Sequence, residues 1–411
     1  MFGFKSTIFK IAFSNLWRRK WRTMIVITMI TVSLGLLIFI SGLYDGWIDQ
    51  WINDAIESDT GQIAVYEKGY RLSNKLSDRI RDPRKISKAL AEVENVKAFV
   101  PRLKIDGMVS SARYSQGVQV IGIIPGEDDK VTNIERSLTQ GVYKMQQGKR
   151  EAIIGYQLAE KLRVKLKSKI VIMGQGEGKD IASGAFRIVG IVRCNNPAID
   201  KYAVIVRLDD AQKMFKLGRG ITQFSINVKN SELLDQTDKE IQKKIGGKYE
   251  VFTWKEMFKA FEWMLDMMKN FKKISFIIVF IIVAIGIFNI VLISIMERVR
   301  EFGIMMALGT KFFQIAGIVI WESMLMGTMG LISGCFFGFL ILLFFKTFGL
   351  NMGAFSAGLS EFGFAAVIHP VIKLEYFTMS ATAVFITSFL ASLWPIRILK
   401  KLKPIQAIHF M

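Results

Sequence analysis

The run MERVREF (296–302) sets Glu297, Arg298, Arg300 and Glu301 between two long apolar stretches, where both charge signs can pair with groups on another protein. Around these charges Phe302, Met305, Met306 and Phe313 offer bulk for a pocket, with Arg298, Arg300 and Glu301 placed to pair across its rim. Recognition is the chemistry open to this set. The alternative is an ordinary turn with charged flanks, although a turn needs only a few residues. Residues that break bonds are sparse: Cys194 and Cys335 are far apart, as are His369 and His409, so neither a disulfide, a clustered metal site nor a nucleophile–base pair is expected. The glycine-rich GQGEGKD (174–180) falls short of a phosphate cradle. Gly174 and Gly178 enclose three residues where four are needed, and Asp180 follows Lys179 where a Ser or Thr would hold magnesium. It reads as a hairpin tip. The expectation is a chain with no catalytic residue, no metal and no cofactor of its own.

The elements that carry these residues follow from hydropathy. Of 411 residues 51% are hydrophobic, and they are clustered. Residues 23–44, 274–296 and 377–396 are each free of charge over about 20 residues, enough for a helix to cross roughly 30 Å of hydrocarbon. A fourth span lies within 312–345, where Glu322 is the one interruption. The first run is longer than a usual signal core, and SGLYDGW has no small-x-small cleavage site, so it is read as a retained anchor. Lys5, Lys10, Arg18, Arg19, Lys20 and Arg22 precede the first span and Arg397, Lys400, Lys401 and Lys403 follow the last, with no acid among either set. Both termini, the segment 297–311 and the tail 397–411 are therefore expected in the cytoplasm, with 45–273 and the loop 346–376 outside. Those flanks also account for much of the net charge of +20 as attraction to anionic lipid. No basic stripe carries stacking aromatics, so nucleic acid is not an expected partner. Within 1–22, Phe9, Phe13 and Leu16 recur at helical spacing beside Lys10, Arg18 and Arg19, with Trp17 and Trp21 at interface depth, the pattern of an amphipathic helix lying on membrane lipid.

The outer segment reads as strands at 61–67, 96–103, 116–125, 150–155, 168–174, 186–193, 202–208 and 224–230. Helical stretches lie at PRKISKALAEVEN, YQLAEKLRV, DDAQKMFKL and SELLDQTDKEIQKKI. The fold class is thus an α-helical membrane protein with four transmembrane helices and a large α+β, two-lobed extracytoplasmic domain inserted between helices 1 and 2, its insertion lobe at about 104–220. In the third span Gly327, Gly330, Gly334 and Gly338 let helix backbones approach closely, either within the chain or in a seam with a second copy. Trp254, Phe258, Phe261, Leu265 and Met268 form a stripe that can pack on Ile48, Ile52 and Ile56 as outward helix extensions. Alternatively Met264, Met267, Met268 and Phe271, with Ile40, Leu43, Tyr44 and Trp47, wall a pliable cavity for acyl chains.

The segment ERVREFGIMMALGTKFFQIAGIVIWES (297–323) resembles the motif of FtsX-like ABC transporter permeases, carried here by Glu297, Arg298, Glu301, Gly303, Ala307, Gly309 and Glu322. IIGYQLAEKLRVKLKSKIVIM, FRIVGIVR and IVRLDDAQKMF resemble the MacB-like periplasmic core domain. The resemblance implies a bacterial inner-membrane permease subunit. In it 297–311, with Glu297, Arg298, Arg300, Glu301, Phe302, Gly303, Met306, Ala307 and Gly309, is a coupling helix docked in a separate ATPase subunit that binds ATP and Mg. It also implies a second permease subunit, identical or not. GLYDGWIDQWINDAIESDTGQIAVYEKGY (42–70) is similar to the permeases of lipoprotein-releasing complexes, which implies extraction of a lipoprotein or amphiphilic cargo and its handover to a periplasmic carrier. The hook that engages such a carrier would fall at RCNNPAIDKY, with Asn195, Asn196, Pro197, Ile199 and Tyr202, residues equally typical of a surface turn. Efflux of antibiotics or peptide toxins, and signalling to a cell-wall hydrolase, are the rival roles.

Overall fold

The computed structural model describes residues 2–18, 20–178, 180–257, 259–353 and 367–401, without the side chains of 2–8, 259–262, 264 and 398–401. Arg19, Lys179, Phe258, residues 354–366 of the loop 346–376 and residues 402–411 of the tail 397–411, with Lys403 and His409 among them, lie outside the described residues, as do the side chains of Phe261 and Met264. The chain forms two compact units: Met1–Ile48 with Leu265–Asn351 and Val367–Met411, and a second built on Asp49–Met264.

Two helices open the chain, α1 (Phe2–Arg18) and α2 (Lys20–Ser58). Nothing in DGWIDQWINDAIES (45–58) breaks a helix, since it holds no proline and its apolar residues keep helical spacing, so α2 continues well beyond the expected span end at Tyr44. Next in order come β1 (Ile63–Glu67), α3 (Tyr70–Ser73), α4 (Pro83–Ala91), β2 (Val96–Ser110), β3 (Ser115–Ile123), β4 (Leu138–Gly141) and β5 (Glu151–Gly155). They are followed by α5 (Tyr156–Leu162), β6 (Lys169–Gln175), β7 (Ile181–Val192), α6 (Pro197–Tyr202), β8 (Ala203–Arg207), α7 (Leu208–Met214), β9 (Gln223–Val228), α8 (Leu234–Ile245), β10 (Tyr249–Thr253) and α9 (Trp254–Met257). The eight strand-like runs of the sequence are β1–β3 and β5–β9. β4 and β10 are additional, and at four and five residues they are too short to show a clear alternation.

The outer unit has two lobes. In the first, the order β10-β1-β9-β2 is antiparallel throughout, and α4 and α8 cover one face, giving a β-α-β-β-α-β lobe. Ile86 and Leu90 of α4 and Leu234 and Ile241 of α8 join Ile63, Val65 and Ile226 in its core. β2 then changes partners. Val96–Arg102 pairs with β9, whereas Leu103–Ser110 pairs with β3 and, from Gly107, with β6. From there β2-β3-β8-β5-β7-β6 returns to β2 and closes a small barrel, which removes exposed strand edges. Val118, Val120, Ile154, Ile172, Phe186, Ile188 and Val204 fill one face of these strands; Ile121, Ile153, Val192 and Ile205 on the other are covered by Ile134, Tyr143, Met145 and Ile199. The chain leaves the first lobe at Leu103 and rejoins it at Thr222.

After α9 come α10 (Lys259–Glu297), α11 (Val299–Ala307), α12 (Phe312–Phe348), the pair β11 (Leu350–Asn351) and β12 (Val367–Ile368), and α13 (Leu374–Lys401). Among the described residues four helices are long and apolar enough to cross a membrane, one each from α2, α10, α12 and α13. The glycines of α12 are used inside the chain. Gly330, Gly334 and Gly338 abut Ile30, Leu34 and Ile38 of α2, where a Cβ would come within 2.6, 2.9 and 3.0 Å of them, and Gly327 abuts Ser388 of α13. All four are buried, so they offer no seam to a second copy.

Candidate functional site

α11 is the only described helix lying between two spans on the side of residues 297–311, and its sequence fixes which face it hides. Val299, Phe302 and Gly303, at i, i+3 and i+4, are buried, and Met305 and Met306 pack half-buried on the same core. Phe302 is 1% exposed. The face left open carries Arg300, Ile304, Ala307 and Leu308, with Phe313 at the start of α12; Leu308 and Phe313 are 82% and 84% exposed. α11 ends in a Schellman motif: Thr310 N donates to Met305 O at 2.9 Å, Gly309 N to Met306 O at 3.0 Å, and Gly309 takes φ +96, where a side chain would strain the turn.

Two sequence readings are corrected here. Phe302 cannot fill a partner's pocket, because it fills this chain's own core. Arg298 does not pair across an outer rim, because its guanidinium turns inward. Arg298 interrupts the helix between α10 and α11 at φ −112, ψ 10, donates to Glu322 Oε1 at 2.8 Å and to Glu301 Oε2 at 3.2 Å, and lies 4.9 Å from the Phe302 ring centroid. Glu322 Oε1 also accepts from Asn15 Nδ2 of α1 at 2.7 Å, and Arg22 of α2 donates to Glu297 at 2.7 Å. Sequence reasoning missed Asn15, Arg22 and the role of Glu322. The available signal was a lone acid inside an apolar span, which demands a partner. Leu16 and Ala12 of α1 face this core while Phe9, Phe13 and Trp17 are exposed, so Leu16 is not part of the outward stripe.

At the opposite end of the same helices, Asp45 accepts from Tyr376 Oη at 2.5 Å and Lys272 Nζ at 3.0 Å, and pairs with Lys373 at 3.4 Å. Lys272 sits over the Tyr376 ring at 4.7 Å. This cluster draws residues 45 and 272 into the helical unit rather than the outer one. Of the expected cavity wall, Ile40, Met267 and Phe271 are exposed and Leu43, Tyr44 and Trp47 half-buried, while Met268, at 9%, is buried and cannot line an open cavity.

In the outer unit the expected hook is not a projecting loop. Asn196 caps α6 by accepting from Ala198 N, Pro197 takes the first helical position, and Ile199 is fully buried. Asn196 Nδ2 donates to Ser58 Oγ at 2.8 Å and Asn195 Nδ2 lies 3.5 Å from Asp54, so this segment holds the end of α2; Tyr202, 44% exposed, is the member most open to solvent. GQGEGKD joins β6 to β7, with Glu177 paired to Arg79 at 2.7 Å. A polar cleft of about 720 Å³ runs along both lobes, lined by Tyr70, Arg71 and Gln223 of the first and Lys104, Asp106 and Gln119 near or in the barrel. Among the described residues no three His, Cys, Asp or Glu side chains converge as a metal site.

The described site is a short helix, α11, with an exposed apolar face, joined to long apolar helices, two of which, α2 and α10, continue at their far ends into the α+β unit. Residues 23–244, more than half of the chain, match the MacB-like periplasmic core domain, and residues 273–404 match the FtsX-like permease C-terminal region. The chain is similar to the lipoprotein-releasing system transmembrane protein LolC of Neisseria meningitidis serogroup B, 23% identical over 77% of this chain and 79% of that one. It is also similar to an ABC transporter permease of Methanocaldococcus jannaschii, 25% identical over 57% of each chain. A third relative, the macrolide export ATP-binding/permease protein MacB of Salmonella paratyphi A, is 28% identical over 30% of this chain and 20% of its own length. Among solved structures, the periplasmic region of MacB from Actinobacillus actinomycetemcomitans aligns with a TM-score of 0.35 at 14% identity, covering 50% of this chain and 94% of that one. The chain belongs to the ABC transporter permeases that combine a MacB-like periplasmic core domain with an FtsX-like permease C-terminal region.

Proposed function

We propose that this permease moves cargo by receiving, through α11, the closure of an ABC ATPase subunit. In this reading α11 and both termini face the cytoplasm, the outer unit is periplasmic, and two permease subunits share the ATPase pair in the inner membrane. The cargo is a lipid-anchored protein, extracted from the outer leaflet and passed to a periplasmic carrier. The supporting observation is the exposed Ile304 and Leu308 on and at the end of α11, whose other face is buried, with exposed Phe313 at the start of α12, a surface too apolar to be left in water without a partner. The LolC relative, aligned over most of both chains, supports the choice of cargo. Efflux of a small amphiphile is the second reading, favoured by the MacB-like match over 23–244.

The test is Leu308→Asp with Phe313→Ala in the full chain, co-expressed with its ATPase subunit and reconstituted with a triacylated lipoprotein. The variant chain is expected to reach the membrane at normal amount, lose copurification of the ATPase and lose ATP-dependent release. Normal turnover and release by the variant would overturn the docking. Wild-type transport of an amphiphilic antibiotic with no lipoprotein release would select efflux.

A further inference from the structure

We infer that Arg298, Glu322 and Asn15 form a positioning bracket that fixes the angle between α11 and the inner end of the third span, so that a load on α11 moves that end as one body. The inference rests on the reading of α11 as the ATPase contact and says how the contact is held.

Backbone alone does not hold α11. On one side it is separated from α10 by a single non-helical residue, Arg298, and on the other it is joined to α12 by the turn Leu308–Lys311. One attachment to α12 permits a pivot, whereas two attachments at different heights fix an angle. The turn is the first, at Phe312. The second is Glu322, ten residues into α12 and so about 15 Å further along its axis. Arg298 reaches that point from the near end of α11, at 2.8 Å, and α1 adds Asn15 at 2.7 Å to the same carboxylate oxygen. The guanidinium is held from the other side by Glu301 at 3.2 Å and by the Phe302 ring.

The chemistry favours positioning over stability. The Arg298 and Glu322 side chains are 12% and 9% exposed, and a buried ion pair loses in desolvation much of what it gains by attraction. An apolar pair would pack there as well. Directional, charge-assisted bonds supply a fixed geometry that apolar contacts do not. The preceding residue pairs elsewhere: Glu297 bonds Arg22 of α2 at 2.7 Å. The break at 297/298 therefore lies between two ionic attachments, α10 to α2 on one side and α11 to α12 and α1 on the other.

The experiment uses the full chain in nanodiscs, with nitroxides at Ile304 and Ile332, both exposed, and pulsed electron resonance to read their distance distribution; because Ile304 lies on the proposed docking face, ATPase copurification and turnover are read on the same variants without labels. Glu322→Gln keeps the shape and an acceptor for Asn15 but removes the charge. It is expected to broaden the distribution and, with the ATPase subunit still copurifying, to lower substrate-stimulated ATP turnover by about tenfold. Arg298→Glu combined with Glu322→Arg is expected to narrow the distribution again and recover stimulation. If the exchanged pair does not accumulate, Arg298→Lys, which keeps the charge, takes its place with the same expectation. An unchanged distribution and unchanged stimulation in Glu322→Gln overturn the bracket, as does a well-folded exchange variant that recovers neither. A broadened Glu322→Gln distribution in a chain that binds no ATPase supports the bracket and overturns the docking reading instead.

Discussion

Asp200 shows how burial sets chemistry at single residues. It is 3% exposed, accepts from Cys194 N at 2.8 Å, and burial outweighs that and other backbone bonds, pushing its carboxyl up to about 6. The same burial, with the Asp200 charge added, pushes the Cys194 thiol up to about 12, so this cysteine is inert packing rather than a nucleophile. For Asp200 the folded value lies above an unfolded value near 3.9, so the folded chain binds more protons over that interval. The stability this supplies is complete below about pH 4 and lost as pH rises through about 6, a change on the order of 2–3 kcal/mol. Asp129 and Asp238, also raised to about 6 chiefly by burial, act in the same direction. The full chain is expected to resist urea better at pH 5 than at pH 7.5 by pulse proteolysis, with a smaller difference in Asp200→Asn. An equal pH dependence in the two would overturn this. At this scale which acids were buried could not be read from the sequence, because the exposed Asp82, just before Pro83, and the buried Asp200, in the turn after Pro197, both stand at the start of a helix opened by proline, and what packs over them is not a local property.

At the scale of elements, close approach is the controlling fact. An added Cβ at Gly46 of α2 would stand 2.2 Å from His369 O and 2.9 Å from Pro370 Cα, and Val371 N donates to Gly42 O at 3.0 Å, so the segment before α13 lies directly on α2. Backbone cannot rotate aside as a side chain can. Gly46→Ala is expected to lower the thermal midpoint of the purified chain, by about 3 kcal/mol in stability, whereas Gly247→Ala, with open space around it, should leave the midpoint in place. Equal midpoints for the two variants would show that α2 gives way easily. The helices and most strands were legible because their apolar periods are local. The inward face of α11 was misread: the spacing of Val299, Phe302 and Gly303 carried it, but side-chain bulk placed Phe302 outward, toward a partner. Asn195, Asn196 and Pro197 misled for another reason: the residues that make a surface turn also make an N-cap followed by proline. Barrel closure by β6 on β2 joins residues more than sixty positions apart, and the Asn15–Glu322 bond joins residues 307 apart; neither leaves a local pattern.

At the scale of the whole molecule, the ends of α2 and α10 that belong to the outer unit are rooted in different lobes. Asn133 N donates to Glu57 O at 2.9 Å and Asn196 Nδ2 to Ser58 Oγ at 2.8 Å, while Lys104 pairs with Asp59, so the end of α2 is held by the barrel lobe. α10 instead follows β10 of the first lobe, where Trp254 N bonds Gln62 O at 2.9 Å. Arg102 stands where β2 passes between lobes: it is 0% exposed, pairs with Asp128 at 2.7 and 2.5 Å, and donates to the Asp59 carbonyl. Asp128→Ala would strand that charge in the core at a cost of about 3–5 kcal/mol, whereas Arg102→Met with Asp128→Leu removes both charges and should recover most of it. Pulse proteolysis of the full chain in urea measures both. If the single variant proves as stable as the parent, Arg102 reaches water and the two lobes are not pinned at this point. If the apolar pair is stable but release under the proposed function fails while ATP turnover continues, the joint transmits displacement, a role that packing alone does not replace.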